Sequence, residues 1–353
     1  MQSRLRLWRK RNDDIRRRLL VAMALLAFGI LGAYYAHGQT ARRSPLTTAA
    51  LARAALQAKL DAGLCDIPVG TTTIDGPLYV RSRTMLRGAG MASEIKLTGG
   101  GDWAVIVAPG RGSLYGAYID SVSIVGGGVL WTEFAQHCGM DRVWVSGAPG
   151  DGVRLQGDGE RLRIRDCVSW ENGGAGFAVR CASSNNGVVF DHCNAQGNKG
   201  EGILFDAADG AGISLCVIDD CTIQGNGGAQ VRLSGYVTSL AIRDTWIESA
   251  AAGAVGILAE SKVAASRIEP WRPAGLTIEG GTNIALIARA MVLRDAPNVA
   301  IDSLSVTPAS ARVEWDTWQP GGAMRRLPAV QLKWVAPPDQ LGAATGVSAS
   351  SPR

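Results

Sequence analysis

Asp191, His192, Asp219 and Asp220 form the densest group of ionisable side chains in the sequence, and they fall at matching phases of a repeated pattern. Like charges held a few ångström apart push one carboxyl to a higher pKa, leaving a protonated acid beside an ionised base. Cleavage of a glycosidic bond needs that division of labour. Asp191, Asp219 and Asp220 are therefore candidate catalytic carboxylates, and His192 a group that assists or orients them. Arg165 and Arg243 share the phase of Asp191 and Asp219 and would contact a charged substrate. A second outward row holds Trp170, Gln196, Gln224 and Glu248 beside Val168, Asn194, Thr222 and Trp246. Aromatic faces and amides suit sugar rings, so Trp170, Trp246, Gln196 and Gln224 are candidate substrate contacts. A purely structural role competes: an Asp at a chain corner accepts bonds from nearby N–H groups as an Asx-turn, and recurrence at Asp166, Asp220 and Asp244 favours it for that row.

These phases come from a repeat. Cys167, Cys193, Cys221 and Thr245 occupy one column with steps of 26, 28 and 24 residues, and Asn172, Asn198 and Asn226 a second column. A period in the mid-twenties marks a solenoid, whose units bury their apolar faces only by stacking on one another. Each unit holds short alternating apolar runs such as Leu162/Ile164 and Phe177/Val179, with no helical period. Three short strands per turn make a right-handed parallel β-helix. In that fold the Cys column points inward, and the Asn column precedes a Gly-rich step where a left-handed residue is needed. Stacked coils lie about 4.8 Å apart, which sets Asp191 against Asp219. That spacing suits a retaining mechanism, whereas an inverting one would pair Asp191 with Asp220 or Asp244.

The segment 56–99, from "LQAKLDAG" through "IPVGTTTIDGPLYV" to "TMLRGAG", resembles the first coil of pectate-lyase-like β-helix proteins. The resemblance runs over roughly residues 45 to 310. It implies an all-β, single-stranded right-handed parallel β-helix of about nine coils with an N-terminal capping helix. Proteins of that superfamily include polysaccharide lyases, polygalacturonase-like hydrolases, epimerases and phage tailspikes. Asp219-Asp220-Cys221 resembles the Asp-Asp-Cys step of the hydrolases, and Asp191 stands roughly where their first catalytic Asp stands. Their Asn-Thr-Asp, His-Gly and Arg-Ile-Lys motifs are absent; Phe190-Asp191-His192 and Arg243-Asp244 occupy those places.

The domain reading is 1–38 as signal peptide or membrane anchor, 39–63 as linker and capping helix, 64–310 as β-helix, and 311–353 as C-terminal cap and disordered tail. The first eighteen residues carry seven Arg and one Lys, run into the apolar stretch 19–38, and meet Ala36-His37-Gly38 before Gln39. That order predicts an export signal, with an uncleaved inner-membrane anchor as the alternative. The chain of 353 residues carries a net charge of +5. Without that basic start it is near neutral, so no nucleic-acid partner is expected. Seven Cys include no C-x-x-C pair, which argues against zinc and iron–sulfur centres. The expected cofactor is none, with Ca²⁺ if the protein is a lyase. Arg154, Arg180 and Arg232 with Asp206 form a scatter that would contact uronic acids, and 261–274, with Trp271 and Arg272, is a candidate groove wall.

Two functions follow. One is an exported polysaccharide hydrolase or lyase acting on an acidic glycan along the outside of the β-helix, secreted or periplasmic. The other is a non-catalytic glycan-binding or structural β-helix of the cell-surface or tailspike kind. Both take a polysaccharide as partner. Membrane contact would run only through an uncleaved N-terminus, and the oligomeric state stays open.

Overall fold

Residues after each chain corner alternate inward and outward, and the inward ones stack into a single apolar core running from Leu56 to Leu304. The structure is a computed structural model that describes residues 47–110, 112–134, 137–260, 274–287, 289–294, 299–307, 312–316 and 332–334. The apolar run 19–38, Trp271, Arg272 and the tail after 334 lie outside the described residues. The chain is a parallel β-solenoid, nearly all β, as the column spacing and the resemblance lead one to expect.

Among the described residues two sheets wrap the core, one of twenty strands and one of ten, and their pairings are parallel. The ten-stranded sheet takes one strand per pass, from Leu78–Val80 through Phe177–Cys181 and Ile203–Ala207 to Arg312–Asp316. Strand pairing therefore continues beyond Pro308, because Arg312–Asp316 adds to Arg289–Arg294. The expected three strands per turn become four in the central coils: Phe177–Cys181, Ser184–Asn186, Val189–Asp191 and Asn194–Gln196.

The extra strand arises from a five-residue corner period. Residues 161, 166 and 171, then 187, 192 and 197, then 215, 220 and 225 all have positive φ, from 47° at Asp220 to 71° at Gly187. Between corners the chain runs inward, outward, inward, outward. This phase explains both columns, since Cys167, Cys193 and Cys221 each follow the second corner, and Asn172, Asn198 and Asn226 the third. The left-handed residue is thus Glu171, Gly197 or Gly225, not the Asn expected there, and the Asn is buried instead. Its amide bonds up the stack: Asn172 Nδ2 donates to Asn198 Oδ1 at 2.9 Å, Asn198 Nδ2 to Asn226 Oδ1 at 2.9 Å, and Asn226 Nδ2 to Gln230 Oε1 at 2.8 Å. The phenyl rings of Phe177, Phe190 and Phe205 fill the space opposite, with centroids 5.4 and 6.1 Å apart.

Helix α1 (Thr48–Asp61) sends Leu56 and Leu60 into the first coil's core. Its Gln57 amide donates to Tyr79 O at 3.0 Å and accepts from Tyr79 N at 2.8 Å. A side chain thus takes the place of a missing strand neighbour, which covers an edge that would otherwise pair with another chain.

Candidate functional site

Registration of the strands assembles one outward column of charge. Asp141 lies opposite Arg165, Arg165 opposite Asp191, Asp191 opposite Asp219, Asp219 opposite Arg243, and Arg243 opposite Glu279. The expected stacking of Asp191 on Asp219 between two arginines is therefore present. The side chains, however, do not pair with the neighbours the sequence suggested. Arg165 turns to Asp141, with Nη2 2.5 Å from Oδ2, and Arg243 ion-pairs with Glu279. Asp191 is held by Arg163, which no column reading singled out although it sits two residues before Arg165 on the same outward side.

The corner residues sit beside this column. His192, with φ 53°, places Nδ1 2.7 Å from Asp191 Oδ1 and Nε2 2.8 Å from Asp220 Oδ2. The imidazole thus bridges two carboxylates from adjacent coils while its side chain stays 56% exposed. The hydrogen bond to Asp191, resisted by slight desolvation, together with the charges of Asp220 and Asp166 lifts His192 above its ordinary pKa of 6.5. Burial pushes Asp191 up, but bonds from Arg163 and His192 outweigh it and the carboxyl lies below its ordinary value. Asp191 is therefore not the raised acid of the expected Asp191/Asp219 pair, since Arg163 and His192 hold its carboxyl below the ordinary value. Asp219 is half-buried, and its carboxylate has no hydrogen-bond or ion-pair partner among the described residues.

The Asx-turn expected of the corner row does not form at Asp244, whose Oδ1 accepts instead from Gly281 N of the next coil at 2.6 Å. Asp166 and Asp220 instead meet Arg165, at 3.6 Å, and His192.

Past the corner the chain turns onto a neutral face. Trp170, Gln196, Gln224 and Glu248 lie in one register, and Val168, Asn194, Thr222 and Trp246 in the next. Trp170 and Trp246 are 39% and 41% exposed. Trp144, missing from the sequence reading, precedes Val168 in register and meets Trp170 edge to face at 6.5 Å between centroids. Trp246 Nε1 donates to Glu248 Oε2 at 2.8 Å. Three strand spacings separate the levels of Trp170 and Trp246, about 14 Å.

On the ten-stranded sheet the arginines expected to meet uronic acids are engaged. Arg154 and Arg180 reach Asp151 at 2.8 and 3.0 Å, Arg180 also reaches Asp206 at 3.3 Å, and Arg232 bonds Glu201 at 2.8 Å and also Glu260. Among the described residues no group of three or more His, Cys, Asp or Glu is placed to hold a metal ion. All seven thiols are free and buried.

Residues 127–288 match the family model for a right-handed β-helix region. Among solved structures the chain is similar to tailspike protein 2 of the Escherichia coli O157:H7 bacteriophage CAB120. That match has a TM-score of 0.58 and 9% identity, covering 75% of this chain and 38% of that one. ORF18 of Geobacillus virus E2 matches with a TM-score of 0.52 and 14% identity over 74% of this chain and 56% of that one. The A-module of the Azotobacter vinelandii mannuronan C-5 epimerase AlgE4 matches at 0.45 and 21% identity over 76% and 94%. The chain thus spans less than two thirds of either viral protein. At these identities the likeness is one of fold. Among curated proteins none matches.

Proposed function

We propose that this β-helix acts on a polysaccharide lying along its outer wall, with the sugar rings on the Trp144, Trp170 and Trp246 face and the scissile bond over the Asp219–His192 corner. What carries this reading is the doubly held His192: a partly exposed imidazole fixed between Asp191 and Asp220, with the unpartnered carboxylate of Asp219 one strand spacing from Asp191. His192 gives its proton to the leaving glycosidic oxygen, and Asp219 acts as the base on water or as the nucleophile. Asp191 and Asp220 position and charge the imidazole without touching substrate. Gln196 and Gln224 bond the sugar hydroxyls between the aromatic platforms.

A screen of polysaccharides read for new reducing ends and for unsaturated uronate absorbance tests this. On a substrate the wild type cleaves, His192→Gln and Asp219→Asn should each lose on the order of a hundredfold in kcat. Full activity in both variants would move the site elsewhere.

The complete pairing of Asp191 with Arg163 and His192 favours a second reading, a glycan-binding wall without turnover. Binding without new ends or unsaturated product is its signature. For either reading we place the body outside the cytoplasm, on the strength of the basic start, the apolar run 19–38 and Ala36-His37-Gly38. N-terminal sequencing of the exported protein should begin near Gln39; an intact Met1 in the membrane fraction would favour an anchor.

A further inference from the structure

The arginines of this protein are committed to internal contacts, with two exceptions on one edge. Among the arginine side chains described, all but Arg83 and Arg161 meet a carboxylate, a carbonyl or an aromatic ring. Arg161 is exposed and pairs with no carboxylate among the described residues, its sequence neighbour Glu160 included. It stands at the first corner of its coil, with φ 58°. One coil on, that corner is Gly187, where the run to Asp191 and His192 begins; a further coil on, it is Leu215.

Gly187 has no side chain, and a Cβ there would lie 3.6 Å from Arg161 Cγ, so the arginine stem leans over the bare corner. Leu215 bounds the other side, 64% exposed with φ 56°. Arg161 and Leu215 thus flank a notch two strand spacings wide, about 10 Å. Its floor continues through half-buried Val189 and Val217 to Asp191 and Asp219, about 13 Å away along the strand at about 3.3 Å per residue. Both flanking residues hold a left-handed conformation that glycine adopts without strain, and such strain concentrates where a side chain is needed for function.

A sugar ring suits this notch if it carries an anion. The guanidinium presents a planar fork of donors that matches a carboxylate with two parallel hydrogen bonds, while the leucine and valines take the apolar face of the ring. Beyond the His192 corner the wall differs. Val168, Trp170, Asn194, Gln196, Thr222 and Gln224, the outward side chains of three successive coils there, are all uncharged. A carboxylate placed on that face would lose water without gaining a cation, which is unfavourable.

Resting on the reading of this wall as a polysaccharide site, we propose that its ligand is a heteropolysaccharide of acidic and neutral sugars, with neutral rings on the Trp face and an acidic ring in the Arg161–Gly187–Leu215 notch. Arg161 is then a specificity-determining residue. It takes no part in the chemistry at His192 and Asp219 and selects a sugar bound beyond the cleaved bond.

The test is titration calorimetry of the full-length chain at neutral pH with three hexasaccharides: hyaluronan, in which glucuronate alternates with N-acetylglucosamine; the same oligomer with its carboxyls reduced to alcohols; and oligogalacturonate, in which every ring is charged. Hyaluronan should bind at least about tenfold more tightly than its reduced form, a difference of about 1.4 kcal/mol, and added salt should narrow the gap. Oligogalacturonate should bind more weakly than hyaluronan. Arg161→Gln should bring hyaluronan within about twofold of the reduced form and leave the reduced form unchanged, with an unaltered melting temperature showing that the variant folds. Leu215→Asn should weaken both. Equal binding of the two forms, a charge preference that survives Arg161→Gln, or oligogalacturonate binding tighter than hyaluronan overturns the notch assignment and leaves the polysaccharide wall standing. Failure of hyaluronan to bind while another polysaccharide is cleaved does the same. If none of the three binds and no polysaccharide is cleaved, the wall reading falls and this inference with it.

Discussion

His192 reaches across one coil to Asp220, Nε2 to Oδ2 at 2.8 Å, from a left-handed corner that its own neighbour Asp191 braces through Nδ1. Because the imidazole has a carboxylate on each nitrogen, its protonated form is the one the fold favours.

The NMR titration of the His192 ring should therefore have its midpoint above 6.5. A folded pKa raised above the unfolded value means that the contribution is fully present below 6.5 and is lost as pH rises through the folded value. Asp220→Asn removes one brace and should move the midpoint down. A midpoint unchanged in the variant would show that the bridge does not form in solution.

Asp151 anchors the other sheet. It is 2% exposed and takes Arg154 Nε at 2.8 Å, Arg180 Nε at 3.0 Å and Ala175 N at 2.9 Å. Burial raises its pKa, but the hydrogen bonds from Arg180, Ala175 and Arg154 outweigh this and the net shift is downward. Its stabilisation is accordingly complete above the ordinary value of 3.8 and lost as pH falls through the lower folded value. Asp151→Ala should cost about 2–3 kcal/mol at neutral pH, less than a fully buried pair because both arginines are partly exposed. Denaturant melts across pH read this, and the variant should show a flatter acid limb.

Asn198→Ala interrupts the amide stack. The change leaves the Asn172 amide and Asn226 Oδ1 without their bonds to the missing side chain, and backbone N of Asn172 loses its acceptor. A loss of about 2–3 kcal/mol is expected from unsatisfied buried groups, visible as a lower denaturation midpoint with an unchanged m-value.

Leu215 is a bulky residue at a left-handed corner, with φ 56° and 64% exposure. Replacing it by Asn, which tolerates that conformation, should raise stability by up to about 1 kcal/mol. The same substitution at inward Ile218 should be strongly destabilising, which separates corner strain from burial.

Much of this architecture can be read in the sequence because the core repeats by residue type. Cys167, Cys193 and Cys221 recur since each follows a corner and must point inward, and the same phase sets Asp191 opposite Asp219. Cys221→Ala should accordingly cost only about 1 kcal/mol, whereas Cys221→Asp buries a charge and should prevent folding; slow thiol labelling of the native protein checks the burial. The Asp166, Asp220 and Asp244 corners could be read from their recurrence, but those at Arg161, Glu171, His192 and Leu215 were hidden, because Gly, which marks the corners at 187, 197 and 225, is missing there. The choice of ion-pair partner was equally illegible: register brings Arg165 as close to Asp191 as to Asp141, and only the side-chain conformation decides. Arg163 was missed because its column continues as Val189 and Val217, so no repetition of charge drew attention to it.

The five-residue spacing of the corners also locates where the protein tolerates change in length. Between the end of one strand in the ten-stranded sheet and the next strand of the wall, the chain spends residues 182–183 in one coil, 208–211 in the next and 235–236 in the third. The corners that follow keep their count regardless: 187 to 192, 215 to 220, 239 to 244 and 275 to 280. Insertions thus enter along a single seam, and the charged and aromatic wall downstream keeps its phase whatever is added there. A peptide tag, a loop or a whole domain grafted between Ala207 and Gly212 should leave the wall intact, while one residue inserted between 187 and 197 would turn every later side chain of that coil to the opposite face.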